Sequence, residues 1–119
     1  MVVLLGVAGL LEPDPRGFGT HQQLGLPGCT FQTLFGVRCP ACGMTTAWSW
    51  SARGDIGRAL KANVGGVSTA AMALVAAPWL IASSACGRWL GGRPSSKTLA
   101  IAAVGCLVLT LVDWIVRIV

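Results

Sequence analysis

The sequence predicts an all-α fold: a small multi-pass membrane protein with two to three transmembrane helices, a Cys-rich loop and a short amphipathic interfacial helix. Three observations predict it. Of the 119 residues, 54% are hydrophobic and only 11% charged, a balance unlike that of an average soluble domain. The apolar residues concentrate in two long runs, 64–86 and 98–117. The Gly- and Pro-rich remainder gathers before them around Cys29, Cys39 and Cys42.

The chain is read as a single membrane domain, 1–119. Residues 1–11 (MVVLLGVAGLL) are apolar until Glu12-Pro13-Asp14-Pro15 closes the run. As a helix they reach about 16 Å, half of a hydrocarbon core of about 30 Å. No Lys or Arg precedes them and no Ala-x-Ala site follows, so a short first membrane helix fits them better than a cleaved signal or an interfacial piece. Residues 12–43 are a Cys-bearing loop, in which Pro13, Pro15, Gly17, Gly19, Gly25, Pro27 and Gly28 break regular structure. The apolar patch TFQTLFGV (30–37) leads into Cys39-Pro40-Ala41-Cys42-Gly43.

Residues 44–63 are the interfacial region. Trp48 and Trp50 stand among Ser and Thr, a composition suited to the headgroup level. After Gly54, Asp55 can cap a basic amphipathic helix over 56–63. The run 64–86 carries no charge and spans roughly 34 Å as a helix. Along it Gly66, Ala70, Ala73 and Ala77 recur at helical spacing, a face on which another membrane protein or a second copy of this chain can pack. Pro78 predicts a kink. A basic loop, 87–97, carries Arg88, Arg93 and Lys97, and the second long span follows at 98–117. Asp113 in that apolar helix is a functional flag by default, with Arg117 one turn on as its expected partner.

The net charge of +5 comes from Lys and Arg scattered singly. That pattern fits membrane flanks and a lipid bilayer partner, and no nucleic acid. The density of Lys and Arg in loop 87–97 places that loop inside, and hence the cysteine segment outside.

Three arrangements are open to the cysteine turn. As a metal knuckle, Cys39 and Cys42 grip one ion while Gly43 lets the backbone turn toward the sulfurs. Cys29 then offers a third ligand and His21 a fourth, in the order His-x7-Cys-x9-Cys-x2-Cys, a tetrahedral set for zinc. As a redox pair, Cys39 sits at a helix start with Pro40 at the first position, activated by Arg38, and Cys42 resolves. As a structural element, Cys29 forms a disulfide with Cys39 or Cys42, or the thiols are simply buried. The structural arrangement is the expected one. Cys86 and Cys106 read as small apolar residues, Cys86 also as a palmitoylation-type candidate beside the basic loop.

Other chemistries are excluded. Gly43 stands where a c-type haem site needs His, and no Walker loop, dinucleotide fingerprint, His-Glu-x-x-His or Gly-x-Ser-x-Gly occurs. The four acids, Glu12, Asp14, Asp55 and Asp113, leave little for paired-carboxylate catalysis.

Cys29-Thr30-Phe31, then Cys39-Pro40-Ala41-Cys42-Gly43-Met44-Thr45-Thr46-Ala47, then Arg53-Gly54-Asp55, Ala59 and Asn63 ahead of an apolar helix, resembles the bacterial membrane family called domain of unknown function 2752. The resemblance covers 29–85. It implies a small integral protein of two or three helices in the bacterial inner (cytoplasmic) membrane and brings no established activity, ligand or catalytic residue. Two positions depart from it: many relatives carry Arg where Thr46 stands and Pro where Val64 follows Asn63. His21 lies outside the family pattern. The resulting expectation is a non-catalytic accessory or assembly subunit. The alternative is a membrane thiol-disulfide oxidoreductase, or a zinc-binding protein using Cys29, Cys39, Cys42 and His21.

Overall fold

The computed structural model describes residues 2–119, and among them the structure is helical with no strand. The two apolar runs form α5 (Val64–Ala85) and α6 (Ser96–Ile118), an antiparallel pair joined by the basic loop. Each starts on a side-chain cap, which satisfies an amide that the first turn leaves without a partner. Asn63 Oδ1 accepts from the Gly66 amide at 2.8 Å, and Ser95 Oγ accepts from the Thr98 amide at 3.1 Å. Near the start of α5, Gly65 faces Thr110 of α6 so closely that a Cβ on Gly65 would overlap the Thr110 side chain.

Both helices are long and apolar enough to cross a membrane, yet only 17% of the apolar window of α5 and 6% of that of α6 are buried in the protein. Leu74, Val75, Ile101 and Val116 point outward. The core helix of a soluble protein would bury such side chains, because each Leu, Val or Ile left in water forgoes roughly 1.5–3 kcal/mol. α5 and α6 are therefore candidate membrane-spanning helices.

The rest of the chain is a cap at the end of this pair where α5 begins and α6 finishes. The first apolar run is α1 (Val2–Leu10), about 14 Å long over these residues. A loop with a 3-10 turn at Thr20–Leu24 leads to α2 (Thr30–Phe35), a helix where the sequence suggests only an apolar patch. α3 (Met44–Ala52) and α4 (Ile56–Ala62) follow as a helical hairpin. Asp55 caps α4 by accepting from the Arg58 amide at 3.0 Å.

The buried apolar residues are alanines: Ala8, Ala47, Ala59, Ala62, Ala70 and Ala73. Small side chains let the helices approach closely. A Cβ on Gly66 would lie 2.8 Å from Ala47 Cβ, and one on Gly9 3.2 Å from Ala52 Cβ. Alanines release little apolar area, so the cap is not held by bulk hydrophobic burial. Its largest fully buried side chains are polar: Asn63, Thr20, Thr46 and Ser49. Thr46 and Thr20 hydroxyls share a hydrogen bond of 2.7 Å, and Ser49 Oγ donates to the Leu11 carbonyl at 2.7 Å. Most of the small-residue face expected to receive a partner, Gly66, Ala70 and Ala73, is thus buried inside the chain.

Candidate metal centre

The Cys-Pro-x-Cys-Gly segment folds as a tight turn that ends in α3. The Cys42 amide donates to the Cys39 carbonyl at 3.0 Å and the Met44 amide to the Ala41 carbonyl at 3.1 Å. Gly43 is required for two reasons. Its φ of +88° is left-handed, a region that L side chains rarely occupy. A Cβ there would also sit 2.5 Å from the Ala62 carbonyl oxygen and 2.6 Å from that of Gly17. The turn is therefore wedged between the end of α4 and the Pro/Gly loop.

Asn63 fixes the turn from beneath. Its Nδ2 donates to the carbonyls of Pro40 (3.0 Å) and Cys42 (3.1 Å), while Oδ1 caps α5. Carbonyls on one side and an amide on the other determine which end of the side chain is nitrogen. α6 closes the turn from the side. Trp114 Nε1 donates to the Arg38 carbonyl, and Arg117 donates to the Ala62 carbonyl and pairs with Asp113, as the sequence predicts for that acid. Asp113 also accepts from the Val64 amide at 3.3 Å. Phe31 of α2 packs edge-on against Trp114, with centroids 6.5 Å apart, and this seats α2 and the cysteine that precedes it.

These contacts bring Cys29, Cys39 and Cys42 together. Their sulfurs all lie within 4.8 Å of one another, half-buried, and the Cys39 and Cys42 sulfurs are 3.3 Å apart. All five cysteines are free, so no disulfide joins Cys29 to the turn. His21 sits on the 3-10 turn and is outside this sulfur group. Cys86 lies exposed at the far end of α5 and Cys106 inside α6.

The thiols are electrically unequal. The backbone amide of Gln32, in the first turn of α2, brings Cys29 down to about 7 against the opposing effect of burial, with help from the Cys39 and Cys42 thiols. Burial pushes Cys42 up to about 12, and the neighbouring Cys39 and Cys29 sulfurs reinforce the rise. The cluster thus sets a readily ionised thiol, Cys29, beside one that burial keeps protonated, Cys42. Three sulfurs in this arrangement can hold a metal ion.

Sequence reasoning identified the three sulfurs and missed what positions them. In the sequence Asn63 reads as the end of the 56–63 helix, neither as the cap of α5 nor as a donor to the turn's carbonyls. Trp114 carried no signal, since its role depends on α6 returning to the loop.

The fold and the site define an all-helical chain with two candidate membrane-spanning helices and a three-cysteine cluster in the loop beside their ends. Residues 29–77 match the family described as a protein of unknown function (DUF2752), a stretch that takes in Cys29, Cys39, Cys42 and Asn63 and runs on into α5. No curated protein and no solved structure matches the chain.

Proposed function

We propose that this chain is an integral protein of the bacterial inner membrane that holds a zinc ion on Cys29, Cys39 and Cys42 at the membrane surface. The observation that carries the reading is the mutual proximity of the three sulfurs. Thiolates about 2.3 Å from a tetrahedral zinc lie about 3.8 Å from each other, and the separations here, from 3.3 Å to within 4.8 Å, bracket that value. Thiolate ligands select zinc over calcium, magnesium or manganese. With few groups able to do acid-base work nearby, the ion acts as an organiser of the cap and the protein as a non-catalytic accessory subunit. Gly66, Ala70 and Ala73 being covered by the chain itself, a membrane partner would meet the part of that face around Ala77.

The topology supports the cytoplasmic side for the cluster, the reverse of the sequence expectation. Two spans leave the segment before α5 and the end of α6 on one side. Of nine Lys and Arg, three (Arg88, Arg93 and Lys97) lie in the loop, which leaves six at the cysteine end, and the richer side faces inward. A reducing compartment also suits free thiols.

The second reading is thiol-disulfide exchange, favoured by the 3.3 Å approach of Cys39 to Cys42. One experiment separates them. Protein purified in detergent under reducing conditions should carry one zinc per chain, lost in Cys29→Ser and Cys42→Ser and kept in His21→Ala. Metal-free protein that instead exchanges disulfides with a small-molecule redox pair would overturn the zinc reading.

A further inference from the structure

We propose that the metal takes, as its fourth ligand, the sulfur of a small thiol carrying a carboxylate, which enters by a cavity beside the cluster and is recognised by Arg38. The inference rests on the zinc reading. The cavity, of about 440 Å³, is walled by Arg38, Cys39, Cys42, Trp114 and Arg117 among others, within the range of about 300–1,000 Å³ usual for small-molecule sites. Two of the three cysteines, Cys39 and Cys42, line it, which sets the cluster at the edge of this space.

Among the described residues the cluster contains three cysteines and no His, Asp or Glu. Three protein ligands leave a tetrahedral ion one position for an outside molecule. A sulfur donor set makes the ion soft, and a soft ion favours a fourth sulfur over an oxygen. On binding, the thiol would give its proton to water and its sulfur would take the position that the three cysteines leave open on the ion; no electron would change hands.

The two guanidiniums differ. Arg117 is spent on Asp113 and the Ala62 carbonyl. Arg38 has no ion-pair partner among the described residues. Its guanidinium lies over the Phe18 ring, 4.0 Å from the centroid, and its own carbonyl is pinned by Trp114. An unpaired arginine among the residues that line the cavity suits a carboxylate, which its guanidinium can bind through two parallel hydrogen bonds.

The test uses the full chain in detergent, loaded with cobalt(II) in place of zinc. Titration with mercaptoacetate should intensify the sulfur-to-cobalt charge-transfer absorption as a fourth sulfur binds. Arg38→Gln should weaken mercaptoacetate about tenfold and leave neutral 2-mercaptoethanol unchanged. A cobalt-loaded protein whose spectrum ignores both thiols would sink the inference while leaving the metal site standing. Equal affinities for the two thiols, or release of cobalt to mercaptoacetate on gel filtration, would also overturn it. Failure to bind cobalt or zinc at all would remove the reading beneath it.

Discussion

Asn63 holds the carbonyl of Cys42 at 3.1 Å with the same amide group that reaches Pro40, and caps α5 with its oxygen. One side chain, only 1% exposed, therefore locks the cysteine turn to the first long helix. Buried hydrogen bonds contribute about 1 kcal/mol each, and the groups they leave unpaired cost more. Asn63→Leu should lower stability by about 3 kcal/mol or more and weaken zinc binding with it. Asn63→Asp keeps the cap but turns a carboxylate toward two carbonyls, so it should recover helix content without recovering metal affinity. Thermal unfolding in detergent and zinc competition measure the two effects; unchanged zinc affinity in Asn63→Asp would show that the turn does not depend on this residue.

Gly43 and Gly54 both adopt positive φ, +88° and +78°, but only Gly43 is crowded, with nothing within 4 Å of a Cβ on Gly54. Alanine at Gly54 should cost only the backbone term, about 1–3 kcal/mol. Gly43→Ala adds the collision with the Ala62 and Gly17 carbonyls and should prevent the turn from closing. Equal losses of stability in the two variants would contradict the wedge.

In metal-free protein, Cys29 should be alkylated before Cys42. The thiolate is the nucleophile, and with Cys29 at about 7 its rate with iodoacetamide should climb through neutral pH, well before that of a thiol at the ordinary 9.0. Cys42, held protonated by burial, should stay silent until strongly alkaline solution. The sign for stability follows. Because the folded value of Cys29 lies below its unfolded value, its contribution is fully present above pH 9 and is lost as pH falls through about 7. Mass mapping of alkylated sites against pH checks the order, and Cys42 reacting first would reverse it.

The loop-side cysteine offers a test of topology. Cys86 lies at the opposite end of α5 from Asn63. With all other cysteines replaced by Ser, Cys86 should be labelled by a membrane-impermeant maleimide in intact cells, whereas a chain retaining only Cys29 should need lysis. The opposite pattern would place the cluster outside.

Much of this architecture is legible in the sequence, for identifiable reasons. A bilayer imposes length and apolarity over consecutive residues, so α5 and α6 announce themselves locally. The Asp113 and Arg117 pair is legible because its spacing is one helical turn. The sulfur cluster is legible in part, since Cys39 and Cys42 share one turn, but the approach of Cys29 depends on Phe31 resting against Trp114, which no local pattern encodes. Helix α2 stays hidden because a single turn and a half has little periodicity to read. The two positions that depart from the expected family pattern have local roles: Thr46 is buried against Thr20, and the Val64 amide donates to Asp113. Proline would have no such hydrogen to offer.

The return of α6 to the cysteine turn has a consequence for biosynthesis. Trp114 and Arg117 can secure the loop only once α6 has been made and has settled beside α5. Until then Cys29 has no seat, and its neighbours lack their third sulfur. If the cluster holds an ion, its capture should accordingly be a late event that marks a chain whose two long helices are already paired.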